Sequence, residues 1–305
     1  MSLFTSAKDK SRIGVDFQSA GVAVAMVSAS STAAGQLLKA DFLPAIGQLD
    51  QIDALKSWVV KEHLQKHPCI CLISAQDCDI FQVEKPQVDA AEMAQALIWR
   101  IKDLINYDVS AAVVENYPMP KSNKNNTEQV SVVAANESVI GAYVEGIKTS
   151  NLKLLAIDIH DLVVQYLSCI RSSEDRSIAV LSFDESSGKL MVYNSGDLHV
   201  SRGFKIGLDQ LKRVDSEDQS TFDSLLLEVQ RSMDYFESYY GLGAVTQLMI
   251  FPQSPVTEKM GLYLQNLTNF DIDFISIYSE DAQTGNTTLP EYCFHAYCAA
   301  LRGAM

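Results

Sequence analysis

The chain has 305 residues, a formal net charge of −14, 47% apolar and 20% charged residues, enough for one large two-lobed domain or two ordinary ones of globular type. The acidic balance speaks against nucleic acid and against anionic lipid as partners, because both need a basic surface. No apolar run reaches the roughly 18 residues of a membrane span, so direct membrane insertion is not expected.

The amino-terminal MSLFTSAKDKSRIG has no apolar core of a secretory signal, which predicts a cytoplasmic protein. Lys8, Lys10 and Arg12, like Lys121 and Lys124 later, are too few for a binding patch and read as a solvated tail and a loop. From Ser11 to Val27, Ile13, Val15 and Phe17 alternate with small or polar residues, Gln18-Ser19-Ala20-Gly21 breaks the run, and Val22 to Val27 resumes it. Two period-two runs about a short turn predict a β-hairpin, with Asp16 just before the turn. A third strand and a loop follow within 37–49. A helix with Ile52, Leu55, Val59, Val60 and Leu64 on one face then starts, with Asp50 as N-cap, and ends at His67-Pro68. Cys69 to Ile73 is a continuous apolar run, as in a strand buried on both faces. Cys69 and Cys71 lack the gap of a zinc knuckle, and all six cysteines read as buried thiols of a reduced protein.

A strand is predicted over 79–83. Asp89 and Glu92 have capping-box spacing ahead of a helix over about 89–105. A strand over 111–116, a proline-broken loop over 117–127, a strand over 129–135 and a helix from Asn136 or Ser138 come next. A strand over 152–159 leads into a helix over 161–170. Asp158, His160 and Asp161 could form a metal or acid–base cluster, but the position at a strand end before a helix makes Asp161 or His160 the cap of that helix. From Arg176 the opening pattern recurs about 165 residues on: strand, turn at 184–188, strand, turn at 194–196, strand. A long helix over 220–239 ends in an aromatic cluster, Tyr235, Phe236, Tyr239 and Tyr240, suited to packing between lobes. A buried strand over 245–251, a helix from Pro255, a strand over 272–277 and a terminal helix over 291–301 complete the chain. The five histidines show no ligand spacing, and no Walker loop or Gly-x-Ser-x-Gly elbow occurs.

Together these segments resemble the PilM family of type IV pilus assembly proteins, and most closely its MshI-type relatives of mannose-sensitive (MSHA) pili. The resemblance rests on the opening IGVDF, the 79–116 block, VSVVAANESVIGAYVEGIKTSNLKLLAIDIH, the Glu228-x-x-Arg231-Ser232 pattern in LLLEVQRSMDYFESYY, and the terminal CAALRG ending in Leu301-Arg302-Gly303. It implies an α/β chain with the two-lobed actin-like (ribonuclease H-like) ATPase fold. The first lobe would span 1–175, with a small FtsA/PilM-type subdomain inserted over about 78–128. The second would span 176–305, its terminal helix packing back toward the cleft.

In such a fold Asp16, Ser19 and Asp184 would be the remnants of an ATP–Mg²⁺ site. The nucleotide motifs depart from the family together: Gln18 stands for a glycine, Ala23 for a lysine, Ser182-Phe183-Asp184 for Asp-x-Gly, and Pro252-Gln253-Ser254 for an adenosine-binding Gly-Gly. Glycines allow close backbone approach to phosphate, and nothing replaces them. We therefore expect no catalytic residues, no resident cofactor and no metal site: a pseudo-ATPase scaffold, peripheral to the inner membrane through a protein. The implied partner is the cytoplasmic tail of a PilN-like bitopic inner-membrane protein, with the assembly ATPase as a further partner. The tail would lie in a groove lined by the 79–83 strand, the 89–105 helix and the 111–116 strand, with Trp99, Arg100 and Tyr107 as contacts. The alternative is a nucleotide-binding switch with Asp16 and Asp184 near Mg²⁺.

Overall fold

The computed structural model describes residues 11–28, 36–123, 127–171, 177–214, 219–275, 277–281 and 285–302. Lys8, Lys10, Lys124, Gly303 and the expected lobe boundary at 175/176 lie outside the described residues.

β1 (Arg12–Gln18) and β2 (Gly21–Val27) form the predicted antiparallel hairpin, with Gln18 opposite Gly21 across the Ser19-Ala20 turn. β3 (Leu37–Pro44) adds to β2. α1 (Gln48–Lys61) begins after Gly47, whose positive φ of 88° turns the chain in, so Asp50 lies in the first turn and is not the cap. The helix also ends before Leu64, which packs from the turn beyond it. β4 (Pro68–Ile73) runs parallel to β1.

β5 (Asp79–Glu84), α2 (Met93–Ile101), β6 (Ala112–Pro118) and β7 (Gln129–Asn136) build a three-stranded antiparallel sheet, order β5-β7-β6. Leu97 and Ile101 of α2 close one face over Val114, Val130, Val132 and Ala134. Asp89–Glu92 is a turn ahead of α2, not a capping box: the Glu92 N–H donates to the Asp89 carbonyl at 3.0 Å, and α2 has no side-chain cap. The subdomain extends past the expected 128, because β7 is its central strand, paired on both sides. α3 (Glu137–Thr149), capped by Asn136 through the Ser138 N–H at 2.9 Å, leads to β8 (Lys153–Ile159), which joins β4 in parallel, and then to α4 (His160–Arg171).

The same design returns in β9 (Ser177–Phe183), β10 (Gly188–Asn194) and β11 (Asp197–Phe204). α5 (Leu208–Leu211), α6 (Ser220–Tyr240), β12 (Gln247–Phe251), α7 (Pro255–Leu267) and β13 (Asp271–Phe274) follow. One sheet has the order β3-β2-β1-β4-β8 and the other β11-β10-β9-β12-β13, each a meander continued by two parallel strands. The duplication legible in the hairpins therefore extends to both whole sheets.

The chain then goes back. β14 (Tyr278–Asp281), β15 (Gly285–Thr288) and α8 (Phe294–Leu301) belong to the first compact unit, made from the described parts of 1–119, 127–167 and 278–305. The second unit takes 120–126 and 168–277. The sequence pattern instead places 278–305 in the second lobe, and it predicts no element at β14, β15 or α5. The physical reason for the return is on β1. Period-two alternation puts Ile13, Val15, Val22, Val24 and Met26 into a core with Leu55, Trp58 and Val59 of α1 and Ile147 of α3. The opposite face of the hairpin carries Gly14, Ala23 and Ala25, a floor of small residues on which α8 lies. A Cβ on Gly14 would stand 1.8 Å from the Ala296 carbonyl oxygen, so only glycine admits the helix at this depth.

In the second unit, Phe222, Leu225, Val229, Met233, Phe236 and Tyr240 of α6 pack on Ala179, Leu181, Val192, Leu248 and Ile250. The aromatic cluster expected between lobes is part of this core: Phe236 and Tyr240 are buried within it, and Tyr235 stacks on Tyr239 at 5.0 Å.

Candidate functional site

Asp16 sits on the α8 side of β1 and is 1% exposed. Both of its carboxylate oxygens are engaged. Oδ1 accepts from His160 Nε2 at 3.1 Å, and Oδ2 accepts from Gln18 Nε2 at 2.8 Å. Burial on its own pushes this carboxyl up; the His160 charge and hydrogen bond, the His295 charge and the Gln18 amide outweigh it and hold the pKa below its ordinary value. His160 opens α4 directly after β8, and His295 lies in the first turn of α8. Their rings meet edge to face with centroids 4.8 Å apart.

Gln18 ties this group to the returning chain. Its amide also donates to the Tyr292 carbonyl at 2.9 Å, while its own carbonyl accepts from Gln51 Nε2 at 2.6 Å. Tyr292 stacks on Phe42 at 4.6 Å. The side chain at the expected glycine position is thus a strut between the hairpin and the segment leading into α8.

A second carboxylate shares the face. Asp16 of β1 pairs in register with Leu72 of β4, and Leu72 with Asp158 of β8, which sets the two acids two strands apart, about 10 Å. Burial pushes the Asp158 carboxyl up, against the charge of Arg302, which bonds its Oδ2. The Arg302 carbonyl in turn accepts from Arg12 Nη1. The residue after α8 is therefore tied to β8 and β1 through Arg302, part of the terminal motif that carried the family resemblance.

The other predicted residues lie elsewhere. Ser19 is exposed at the tip of the hairpin turn. Asp184 belongs to the second unit, in the β9–β10 turn, where Oδ1 accepts from the Ser186 and Ser187 N–H groups at 2.8 and 2.6 Å, and Oδ2 from the Ser187 hydroxyl at 2.6 Å. Ser254 caps α7, in a box with Thr257. Trp99 and Arg100 are exposed on α2, and Lys102 Nζ lies 5.3 Å over the Trp99 ring. Tyr107 is half-buried after α2, and its hydroxyl is buried with no hydrogen-bond partner among the described residues. A polar depression of ≈ 500 Å³ beside β5, lined by Lys85, Pro86, Val88, Asp89, Glu92 and Glu128, holds a Lys85–Glu128 ion pair at 3.0 Å.

Sequence reasoning placed Asp16 in the site but read His160 as a helix cap, took Gln18 only as a lost glycine and passed over His295. His160 does stand at the start of a helix, yet its ring turns to Asp16. The remaining signal was the Asp-x-His triplet at the end of β8, two strands from β1, which carries an acid at matched register. His295 had no local signal, since only the return of α8 brings it in. The donor atoms of Asp16, His160 and His295 all lie within 4.8 Å of one another, an arrangement able to hold a proton or a cation between them.

No protein-family model matches the sequence, and no curated protein matches it. Solved structures do. A chain of the PilM–PilN type IV pilus biogenesis complex is similar over 96% of this chain and 98% of its own, with a TM-score of 0.73 and 14% identity. A protein of actin-like ATPase fold from Bacteroides thetaiotaomicron matches over 90% and 94%, with a TM-score of 0.52 and 11% identity. The fold is that of the actin-like ATPases, and at these identities the likeness speaks to fold alone.

Proposed function

We propose that this chain is a PilM-like scaffold, of the MshI type, in the assembly platform of a type IV pilus, and that it holds the cytoplasmic tail of a PilN-like bitopic inner-membrane protein without turning over nucleotide. The observation that carries the reading is the nearly end-to-end agreement with a chain solved in a PilM–PilN complex. Among the described residues no helix is long and apolar enough to cross a membrane, which suits attachment through a protein.

The small subdomain supplies a surface for such a tail. β5 pairs with β7 on one side only, and no strand covers its other edge among the described residues. Ile80 on β5 is 42% exposed and Trp99 on α2 is 60% exposed. An extended segment adding to such an edge gains main-chain hydrogen bonds, with its alternate side chains set against apolar neighbours. Ile80 pairs with Val133 and so lies on the face opposite α2, and that face is anchored where Val133 and Ala135 pack with Ile73 and Ile159, so the edge is presented on a fixed base.

The nucleotide side of the reading rests on how the remnants are used. Mg²⁺ bound to ATP needs carboxylate oxygens and water, and its phosphates need open backbone N–H groups. Here Asp16 is committed to His160 and Gln18, Asp184 to its own turn, and Ser254 to the start of α7. These residues, spent on other partners, do not fit the group. Co-expression of the full chain with a PilN-like partner tests the reading. The two should co-purify, and deletion of the partner's cytoplasmic tail should abolish this. Co-purification unaffected by the deletion would overturn the tail as the contact.

A further inference from the structure

We infer that Asp16, His160 and His295 form a site for a divalent transition-metal ion, with Zn²⁺ as its representative. The inference does not depend on the pilus reading. The three donors come from β1, the first residue of α4 and the first turn of α8, and the fold alone brings them together.

Their geometry suits an ion of that size. In a tetrahedral site with metal–donor distances of about 2.0–2.1 Å, donors stand about 3.3 Å apart. Asp16 Oδ1 and His160 Nε2 are already at 3.1 Å, and all three donor atoms fall within 4.8 Å. An ion of this size would draw the donors in from that spread to about 3.3 Å. The donor set is also selective: two imidazoles with one carboxylate suit Zn²⁺ and its neighbours, whereas Mg²⁺ and Ca²⁺ take oxygen ligands.

The surroundings are those of a ligand site rather than a chance meeting of side chains. Gln18 fixes Asp16 through Oδ2 and leaves Oδ1 directed at the histidines, the outer contact that orients a metal-bound carboxylate. Asp16 is buried, so a cation there compensates a charge that burial otherwise penalises. Both histidines are only partly buried, so the group is not sealed from solvent, and a three-donor site of this kind takes water as its fourth ligand. Three protein donors with one open position define the site, and an ion in it would join β1, α4 and α8.

The test uses the full chain stripped with chelator and desalted, then titrated with Zn²⁺ and separately with Co²⁺. One equivalent of Zn²⁺ should remain after gel filtration, measured by elemental analysis. Co²⁺ should give the visible absorption of a four-coordinate N/O site without a thiolate-to-cobalt band, which separates it from binding at cysteine. His160→Gln and His295→Gln should each weaken binding about tenfold or more, and Gln18→Leu about tenfold through the loss of its hold on Asp16. His63→Gln, distant in sequence and outside the site, should bind like wild type. Should one histidine variant fail to fold by circular dichroism, the other and Gln18→Leu decide. Absence of retained metal, a thiolate band, or equal retention by the folded histidine variants would overturn the site and leave Asp16–His160–His295 as a hydrogen-bonded cluster only.

Discussion

Replacing Gly14 by alanine tests how the first unit is closed. The new Cβ would meet the Ala296 carbonyl oxygen at 1.8 Å, its carbon at 2.7 Å and the Ala300 nitrogen at 3.0 Å. All three are backbone atoms, so no rotamer relieves the clash. Restoring an ordinary contact of about 3.5 Å requires α8 to back away from the sheet by well over 1 Å. Overpacking by a single methyl usually costs about 1–3 kcal/mol where side chains can give. Here the helix itself must move, and with it Phe294 and Leu301, each fully buried and each contributing about 1.5–3 kcal/mol by burial. Loss of a part of that adds to the clash, and we expect a destabilisation of about 3 kcal/mol or more. At about 2–4 °C per kcal/mol for a unit of this size, the transition of the first unit should fall by about 6–12 °C. Calorimetry that resolves the two units gives the number, and limited proteolysis should show the carboxyl-terminal helix cut early. Gly141→Ala is the matched control: nothing lies within 4 Å of its Cβ, and in α3 the change should stabilise by about 0.4–1 kcal/mol. A Gly14→Ala protein that melts like wild type would refute the account of α8 seated on a floor of small residues.

Two further outcomes concern the second unit. His199 is buried against Phe236 and Tyr240, with Nδ1 donating to the Asp197 carbonyl at 2.9 Å, and burial holds its pKa below the ordinary 6.5. A base with a depressed folded pKa gives stability that is whole above about 6.5 and lost as pH falls through the folded value, so urea midpoints of this unit should decline below that point, and less so in His199→Gln. Ser254→Ala removes the cap of α7, where Ser254 accepts from the Thr257 N–H at 3.3 Å, and should cost about 1 kcal/mol in urea denaturation.

Much of the fold was legible because its signals are local. Ile13-Val15-Phe17 against Val22-Val24-Met26, and the same pattern from Ser177, state two hairpins that each found a sheet. What was not legible depends on distant segments. The stretch from Tyr278 carries no mark that it goes back to the first unit; the mark is on β1, as Gly14, and on β2, as Ala23 and Ala25. Asp89 and Glu92 have the spacing of a cap, but the chain spends them in a turn and starts α2 later. The candidate site divides in the same way. Asp16 was visible from its hairpin, while His160 and His295 are 135 positions apart and meet only because α8 returns. Gln18, noted only as a lost glycine, proved to be the link between Asp16 and Tyr292.

The central claim, a scaffold that takes a membrane partner's tail without nucleotide, is tested most directly by titrating a fluorescent peptide of the amino-terminal cytoplasmic tail of a PilN-like protein. The account predicts saturable binding with Kd below about 100 µM, the same with and without Mg-ATP, and weakened by Ile80→Asp or Trp99→Ala. Binding that appears only with Mg-ATP, or none at any peptide concentration, would contradict it.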